Sequence, residues 1–338
     1  MFLYSFYNLR QTFTNVFSVF PQNPRGLTNS SEGNGIRLLC ACPETAGNLT
    51  AADGVVSSQD ASDKEAFQTE AAPDTGKKAV VCMVTSAKGG VGKSTVCANL
   101  GMALAKRGKR VLLIDGDESN RCLDLMTGMQ DTVLSGLAEA VSGVLPPEKT
   151  CYPHPGCASL FLLPGAARFP EDGVSLLTGS AFSDLVGKLS RSGYDVILID
   201  TPGGQPPVLR AAAACSDRAL VISSGQATSV RSAAKTASLL TECGLSEQQL
   251  IVNQFMEGNT RAKRREALLS LISLIDETGL TLGGVVPFDP GIWDKQNRGL
   301  LIDDPSFQKS AFALAFSNIA ARFCHESVPL FSGRREYR

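Results

Sequence analysis

Residues 80–98 constrain the fold more than any other stretch of the chain. They begin with an apolar run (VVCMV), continue through the glycine-rich loop KGGVGKS at 88–94, and end in helix-forming residues. This pattern predicts a strand, a loop and a helix, in which backbone amides and the positive end of the helix surround a phosphate group. In such a loop the second lysine, Lys93, is expected to reach the β- and γ-phosphates of a nucleotide, and Ser94 is expected to bind Mg²⁺. The predicted nucleotide-binding residues of this loop are Gly89, Gly90, Val91, Gly92, Lys93, Ser94 and Thr95.

Two later apolar runs end in aspartate. The run 111–114 is followed by Asp115 and Asp117, and the run 196–199 is followed by Asp200. Because the carboxyl ends of parallel strands form the ligand site of an open α/β sheet, these carboxylates are expected near the glycine-rich loop. An aspartate at the end of a strand is otherwise a common turn former. Its position downstream of a phosphate-binding loop favours a role for Asp200 in holding Mg²⁺.

Apolar runs alternate with helical segments along most of the chain. This alternation predicts a mostly parallel, doubly wound α/β sheet flanked by helices, one of them at 131–143. With 338 residues, one large domain is expected. We place it at 77–325, with a short tail at 326–338. The extension 1–76 is predicted to be disordered, because its larger part is rich in small and polar residues and has few large apolar ones.

The charge and the cysteines exclude other classes of protein. The net charge is −1, so no overall basic field favours nucleic acid as a partner. Ten scattered cysteines in a chain of this size are typical of a reducing cytoplasm. Cys151, His154 and Cys157 have the spacing of part of a metal site, but the sequence suggests no fourth ligand, and we interpret them as a loop with incidental thiols. No apolar run approaches the roughly 20 residues that a membrane span needs.

The glycine-rich loop departs from an ordinary P-loop at its start. Ala87 stands where the first glycine is usual, and an additional lysine, Lys88, follows it. The string KGGVGKS resembles the deviant Walker A motif of the MinD/ParA ATPases. Three further segments resemble the same family in the same order: DGDESNRCLDLMTG at 115–128, the Walker B strand VILID, and the strand LIVN ending in Asn253. The resemblance is closest to the MinD branch and covers about residues 79–325.

The resemblance implies a homodimer in which two subunits enclose two ATP molecules with Mg²⁺. Lys88 would then reach the phosphates of the partner subunit, Asp115 would lie near Mg²⁺, and Asp117 would orient the attacking water. Asn253 would read the edge of the adenine, and Pro287 would lie on the adenine side. The implied catalytic residues are Lys88, Asp115 and Asp117, and the implied metal-binding residues are Ser94, Asp115 and Asp200.

The function implied by the resemblance is ATP hydrolysis in a cytoplasmic switch protein that positions other components, for example in division-site selection. Its implied partners are a MinE-like or MinC-like regulator, or a cargo protein. Attachment to the inner face of the cell membrane is a further implication, although the tail 326–338 contains Pro329 and Gly333 and predicts no amphipathic helix.

Two alternatives belong to other classes of protein. An iron–sulfur carrier of the Mrp type shares the glycine-rich loop, but its usual C-terminal Cys-x-x-Cys is absent from the sequence. A scaffold that binds nucleotide without hydrolysing it is the second alternative, because Cys122 stands where MinD proteins usually have Asn.

Deletion of residues 1–76 is expected to leave ATP binding unchanged, because every predicted binding residue lies beyond the deletion. Titration of the full-length and shortened chains with a fluorescent ATP analogue measures the effect, and Lys93→Ala in the shortened chain is the control for loss of binding. If the shortened chain no longer bound ATP, the extension would have to be part of the site.

Overall fold

The computed structural model describes residues 77–167, 174–256 and 260–328. The predicted disorder of 1–76 and the end of the tail, 329–338, lie outside these residues. The strands are β1 (Val80–Thr85), β2 (Val111–Asp115), β3 (Tyr152–His154), β4 (Cys157–Leu163), β5 (Val196–Asp200), β6 (Arg218–Ser224), β7 (Gln248–Phe255) and β8 (Thr281–Pro287). The α-helices are α1 (Lys93–Ala105), α2 (Leu123–Met126), α3 (Leu137–Val141), α4 (Ser180–Leu189), α5 (Pro206–Ala214), α6 (Ala227–Glu242), α7 (Arg261–Thr278), α8 (Ile292–Asn297) and α9 (Ala311–Phe323). Among the helices in these ranges, none combines the length and the apolar character that crossing a bilayer requires.

The eight strands form one sheet in the order β3-β4-β2-β5-β1-β6-β7-β8, and every neighbouring pair except β3–β4 is parallel. This confirms the predicted mostly parallel, doubly wound sheet. Strand β1 lies between β5 and β6, and its residues beyond Val80 are buried. Successive side chains of β1 enter different clusters of the core, Cys82 on one face and Val81 on the other. Because both faces are covered, the inner strands are continuous apolar runs and not alternating ones.

Helix α1, which follows the glycine-rich loop, is itself part of the core. All residues of α1 after Val96 are buried. Helix α9 belongs to the same core cluster as α1, and within α9 the ring centroids of Phe312 and Phe316 are 4.9 Å apart. Gly101 lets α1 approach β2 closely, since a Cβ at this position would lie 2.6 Å from Leu113 Cδ2. Packing on several sides therefore determines where the loop lies.

Strand β3 was not expected from the sequence, and it explains why a predicted helix is shorter than expected. It is a three-residue edge strand that contains Pro153, which an edge position tolerates because no ladder N–H is needed there. The hydroxyl of Tyr152 accepts hydrogen bonds from the amides of Leu134 (3.2 Å) and Ser135 (2.9 Å). The segment 131–143 consequently becomes helical only in α3, and the prediction of a helix over its first residues was wrong.

The substitution Leu113→Ala is expected to lower the free energy of unfolding by about 2–5 kcal/mol, because it leaves a cavity beside Gly101. Leu113 is fully buried, whereas Leu134 is 93% exposed. Leu134→Ala removes the same atoms and should change the free energy by less than about 0.5 kcal/mol. Unfolding in urea, followed by circular dichroism, measures both. Equal effects of the two substitutions would contradict the position of Leu113 in the core.

Candidate nucleotide-binding site

The glycine-rich loop connects β1 to α1 at the carboxyl edge of the sheet, as predicted. Gly90 and Gly92 have φ angles of 75° and 88°, which glycine adopts without steric strain. At Gly92 a side chain is excluded for a second reason, because a Cβ would lie 2.2 Å from Asn253 Nδ2. Lys93 is the first residue of α1, and its side chain is buried. The conformation of the loop therefore requires glycine at these two positions.

Asp200 is the last residue of β5 and lies directly opposite Asp115 of β2. It is fully buried, and among the described residues neither of its carboxylate oxygens has a hydrogen-bond partner. Burial raises the pKa of Asp200 to about 8, and the charge of Asp115 adds to this rise, whereas the Ser94 hydroxyl and the Lys93 ammonium lower it. A buried carboxylate is stable when it is paired or binds a metal. Asp200 and the neighbouring Ser94 thus fit a divalent cation.

The residues around Asp200 do not amount to a complete metal cage. In the described part of the chain, no group of three or more His, Cys, Asp or Glu side chains is arranged to hold an ion. Mg²⁺ does not require such a cage, because it is commonly bound by one or two carboxylates together with water and nucleotide phosphates. The arrangement therefore suits a cation that arrives with a nucleotide.

The carboxylates of Asp115 and Asp117 are bonded to the loop that follows β2. Asp115 accepts hydrogen bonds from the amides of Leu123 (2.9 Å) and Asp117 (3.2 Å). Asp117 accepts from the amides of Ser119 and Asn120 (3.2 Å each) and from the side chain of Asn120 (3.0 Å). Burial raises the pKa of Asp115 to about 6, although the two amides act against this rise. The roles predicted for these two carboxylates, binding Mg²⁺ and orienting water, would require some of these bonds to open.

The side chain of Lys88 is bound within its own subunit. Its Nζ donates a hydrogen bond of 2.9 Å to Oγ1 of Thr228, in the first turn of α6. The Ser86 hydroxyl donates to the carbonyl of Lys88 (2.7 Å) and thereby holds the backbone at the start of the loop. Thr228 was not expected from the sequence, and no local pattern connects two residues 140 positions apart. The contact with the partner subunit that is predicted for Lys88 would replace this bond.

Asn253 and Pro287 lie at the same edge of the sheet, at the carboxyl ends of β7 and β8. Asn253 is buried, and its Nδ2 donates a hydrogen bond to the carbonyl of Val91 (2.8 Å). The next residue, Gln254, has a positive φ of 55° where the register between the two strands shifts. Asn253 therefore supports the glycine-rich loop directly, a contact that was not expected, and its predicted reading of adenine stays a prediction.

Two other parts of the chain approach the glycine-rich loop. Gln296 of α8 donates a hydrogen bond to the hydroxyl of Thr95 (2.9 Å). A Cβ at Gly203, in the loop after β5, would lie 3.3 Å from Lys93 Nζ. The loop after β5 and helix α8 therefore both lie against the glycine-rich loop.

Comparisons with known proteins find similar chains over most of this one. A family model described as ParA, the NUBPL iron-transfer P-loop NTPases, matches residues 77–324. The septum site-determining protein MinD of Synechocystis sp. is 31% identical over 251 residues, which cover 74% of this chain and 91% of that protein. The MinD protein of Bacillus subtilis is 30% identical over 257 residues, which cover 73% of this chain and 90% of that protein.

Solved structures of similar proteins have the same fold. The MinC:MinD cell division protein complex of Aquifex aeolicus contains a chain 31% identical, with a TM-score of 0.67 and coverage of 75% of this chain and 99% of that one. MinD of Pyrococcus horikoshii, solved with Mg-ADP, is 25% identical, with a TM-score of 0.61 and coverage of 72% and 96%. Since the family model extends over nearly all of the predicted domain and the MinD proteins match over most of their length, the chain belongs to the ParA/MinD family of P-loop NTPases and is a homologue of MinD.

Proposed function

We propose that this protein is an ATPase of the MinD type that dimerises around two Mg²⁺–ATP and acts as a switch in placing the division site. The observation that carries the proposal is the buried carboxylate of Asp200, which has no hydrogen-bond partner among the described residues and lies near Ser94 and Lys93. It lies below the glycine-rich loop, in which Gly90 and Gly92 have positive φ angles. This arrangement combines a phosphate-binding loop with a cation site. The Mg-ADP bound to MinD of Pyrococcus horikoshii supports both assignments.

Within one subunit, the proposed site acts by positioning and by charge. The amides of the loop and the Lys93 ammonium hold the β- and γ-phosphates, while Ser94 and Asp200 hold the metal. Mg²⁺ supplies positive charge that offsets the charge developing on the phosphates. Asp117 orients the attacking water after its bonds to Ser119 and Asn120 open, so the loop after β2 rearranges before hydrolysis.

Dimerisation enters the proposal through Lys88. In the isolated subunit its ammonium is bonded to Thr228, whereas in the dimer it reaches the phosphates of the partner. A phosphate is a far stronger partner for an ammonium than a neutral hydroxyl, because the hydrogen bond is then between two charged groups. Replacement of the Thr228 hydroxyl by a phosphate as the acceptor for Lys88 would therefore favour the dimer only while ATP is bound.

The proposed partners and location follow from the same relatives. We propose a MinC-like protein as one binding partner, by analogy with the MinC:MinD complex of Aquifex aeolicus. The second proposed binding partner is a MinE-like regulator or a cargo protein. We propose that the chain acts in the cytoplasm and at the inner face of the cell membrane, with 77–325 as the ATPase domain and 1–76 and 326–338 as appendages.

A second candidate function is iron–sulfur cluster transfer, which the description of the family model as iron-transfer NTPases favours. The chain contains no Cys-x-x-Cys that could hold a cluster between two subunits. Anaerobic purification followed by iron analysis separates the two candidates, and iron bound in stoichiometric amount would favour this one.

Lys88→Ala is expected to abolish ATP hydrolysis while part of the nucleotide binding remains, because the lysine that completes the partner's site is lost and Lys93 is retained. Phosphate release, measured with and without lipid vesicles, reports hydrolysis, and titration with a fluorescent ATP analogue reports binding. Lys93→Ala is the matched control and should weaken binding itself. Normal turnover by Lys88→Ala would contradict the assignment to the partner's site, and absence of turnover in the unmodified chain would favour a non-hydrolysing scaffold.

Asp200→Asn is expected to remove the dependence of nucleotide affinity on Mg²⁺ and to raise the thermal stability of the nucleotide-free protein. The pKa of Asp200 is raised from 3.8 to about 8, so the folded state loses stability as the pH rises between these values, and the neutral amide does not. The gain from the substitution should therefore be larger at about pH 8 than at about pH 5. Thermal melts at the two pH values measure it, and an equal gain at both would contradict the raised pKa.

A further inference from the structure

Gln296 of α8 is hydrogen-bonded to the start of the helix that follows the glycine-rich loop. Its Nε2 donates to Oγ1 of Thr95 (2.9 Å), although the two residues lie 201 positions apart in the chain. Thr95 belongs to the first turn of α1 and is one of the predicted nucleotide-binding residues. Among the described residues, its hydroxyl makes no other hydrogen bond. Gln296 is therefore the side chain that decides how this hydroxyl is oriented before a nucleotide binds.

The direction of this hydrogen bond leaves the hydrogen of the Thr95 hydroxyl available. A threonine hydroxyl accepts hydrogen bonds through its lone pairs and donates one hydrogen of its own. Because Gln296 supplies the hydrogen of the bond between them, Thr95 uses a lone pair there and keeps its own hydrogen for another acceptor. A hydrogen bond to an anionic oxygen is stronger than one between neutral groups. The arrangement thus suits a phosphate oxygen as the acceptor for Thr95.

Packing around α8 holds Gln296 in place. The preceding residue, Lys295, has its Nζ 4.2 Å from the ring centroid of Phe307, which is fully buried. Directly after α8, the backbone of Gly299 lies against that of Gly128, and a Cβ at Gly299 would be 2.4 Å from Gly128 Cα. Both sides of Gln296 are therefore fixed by contacts with other elements. A side chain that projects from such a fixed element can hold its partner in one orientation.

Asn99 holds the backbone of Thr95 independently of Gln296. The amide of Ile302 donates to Oδ1 of Asn99 (3.2 Å), and Nδ2 of Asn99 donates to the carbonyl of Thr95 (2.9 Å). Asn99 is buried, so leaving either of its polar atoms without a partner would be costly. Loss of the Gln296 side chain is therefore expected to release the Thr95 hydroxyl and to leave the helix around it in place.

We propose that Gln296 is a positioning residue of the nucleotide site: it orients the Thr95 hydroxyl so that the hydroxyl hydrogen is directed to a phosphate oxygen of the nucleotide. Gln296 acts through Thr95 and takes no part in the reaction. The gain in affinity comes from preorganisation, because a hydroxyl that is already oriented loses less freedom when the nucleotide binds. The inference rests on the proposed nucleotide site.

The first test is a double-mutant cycle in the full-length chain, with the dissociation constant of Mg-ADP measured by isothermal titration calorimetry. Gln296→Ala is expected to weaken binding about 3- to 10-fold, which corresponds to the loss of one hydrogen bond. In a chain that carries Thr95→Val and so lacks the hydroxyl, Gln296→Ala should weaken binding no further. Equal effects of Gln296→Ala in the two backgrounds, or an unchanged affinity in the first, would overturn the proposal.

Gln308→Ala is the matched control, because it removes the same atoms from an exposed side chain that is not bonded to Thr95. It should leave the affinity for Mg-ADP unchanged. A loss of affinity in Gln308→Ala as large as that in Gln296→Ala would show that the effect does not depend on Thr95, and would contradict the proposal.

The second test reverses the direction of the hydrogen bond. Gln296→Glu keeps the shape of the side chain, but an ionised carboxylate can only accept, so it would take the hydrogen of the Thr95 hydroxyl away from the phosphate. Binding of Mg-ADP is expected to be weaker than in Gln296→Ala by a further factor of about ten. An affinity equal to that of the unmodified chain would overturn this inference alone, whereas an unmodified chain that bound no Mg-ADP would overturn the proposed function with it.

Discussion

Two carboxylates meet at the ends of neighbouring strands, and the rest of the site is arranged around their charge. Asp115 and Asp200 lie opposite each other on β2 and β5, and both are fully buried. Burial and mutual repulsion disfavour two ionised carboxylates in such a place. Their surroundings differ: two loop amides donate hydrogen bonds to Asp115, whereas neither carboxylate oxygen of Asp200 has a hydrogen-bond partner among the described residues. The imbalance leaves one carboxylate available to a cation.

The backbone near Asp115 and Asp200 and the backbone of the glycine-rich loop lie close to neighbouring elements of the fold. A Cβ at Gly116 would lie 2.7 Å from the carbonyl oxygen of Asp200, and a Cβ at Gly92 would overlap the side chain of Asn253. Through Asn253 the glycine-rich loop is bonded to β7, and through Lys88 it is bonded to α6. A movement of the glycine-rich loop would therefore be transmitted to both β7 and α6.

Much of the fold was predictable because it depends on local patterns. Continuous apolar runs indicated buried parallel strands, and the glycines around Lys93 indicated the phosphate-binding loop. Strand β3 and the short α3 were not predicted, since β3 forms by pairing with β4 and its Tyr152 hydroxyl binds amides 17 and 18 residues away, in the segment before α3. The same holds for the candidate site. The sequence predicted which residues belong to it, but not the hydrogen-bond partners of their side chains.

By itself, the sequence determined the class of fold, the phosphate-binding loop and the family, because these follow from apolar periodicity, glycine placement and motif order. The tertiary structure alone decided where the polar side chains point. In the tertiary structure Asp117 binds amides of its own loop, Lys88 binds Thr228, and Asp200 has no hydrogen-bond partner among the described residues. The physical reason is that a hydrogen bond or a buried charge is defined by groups distant in the chain, which come together only when the sheet and its loops have packed.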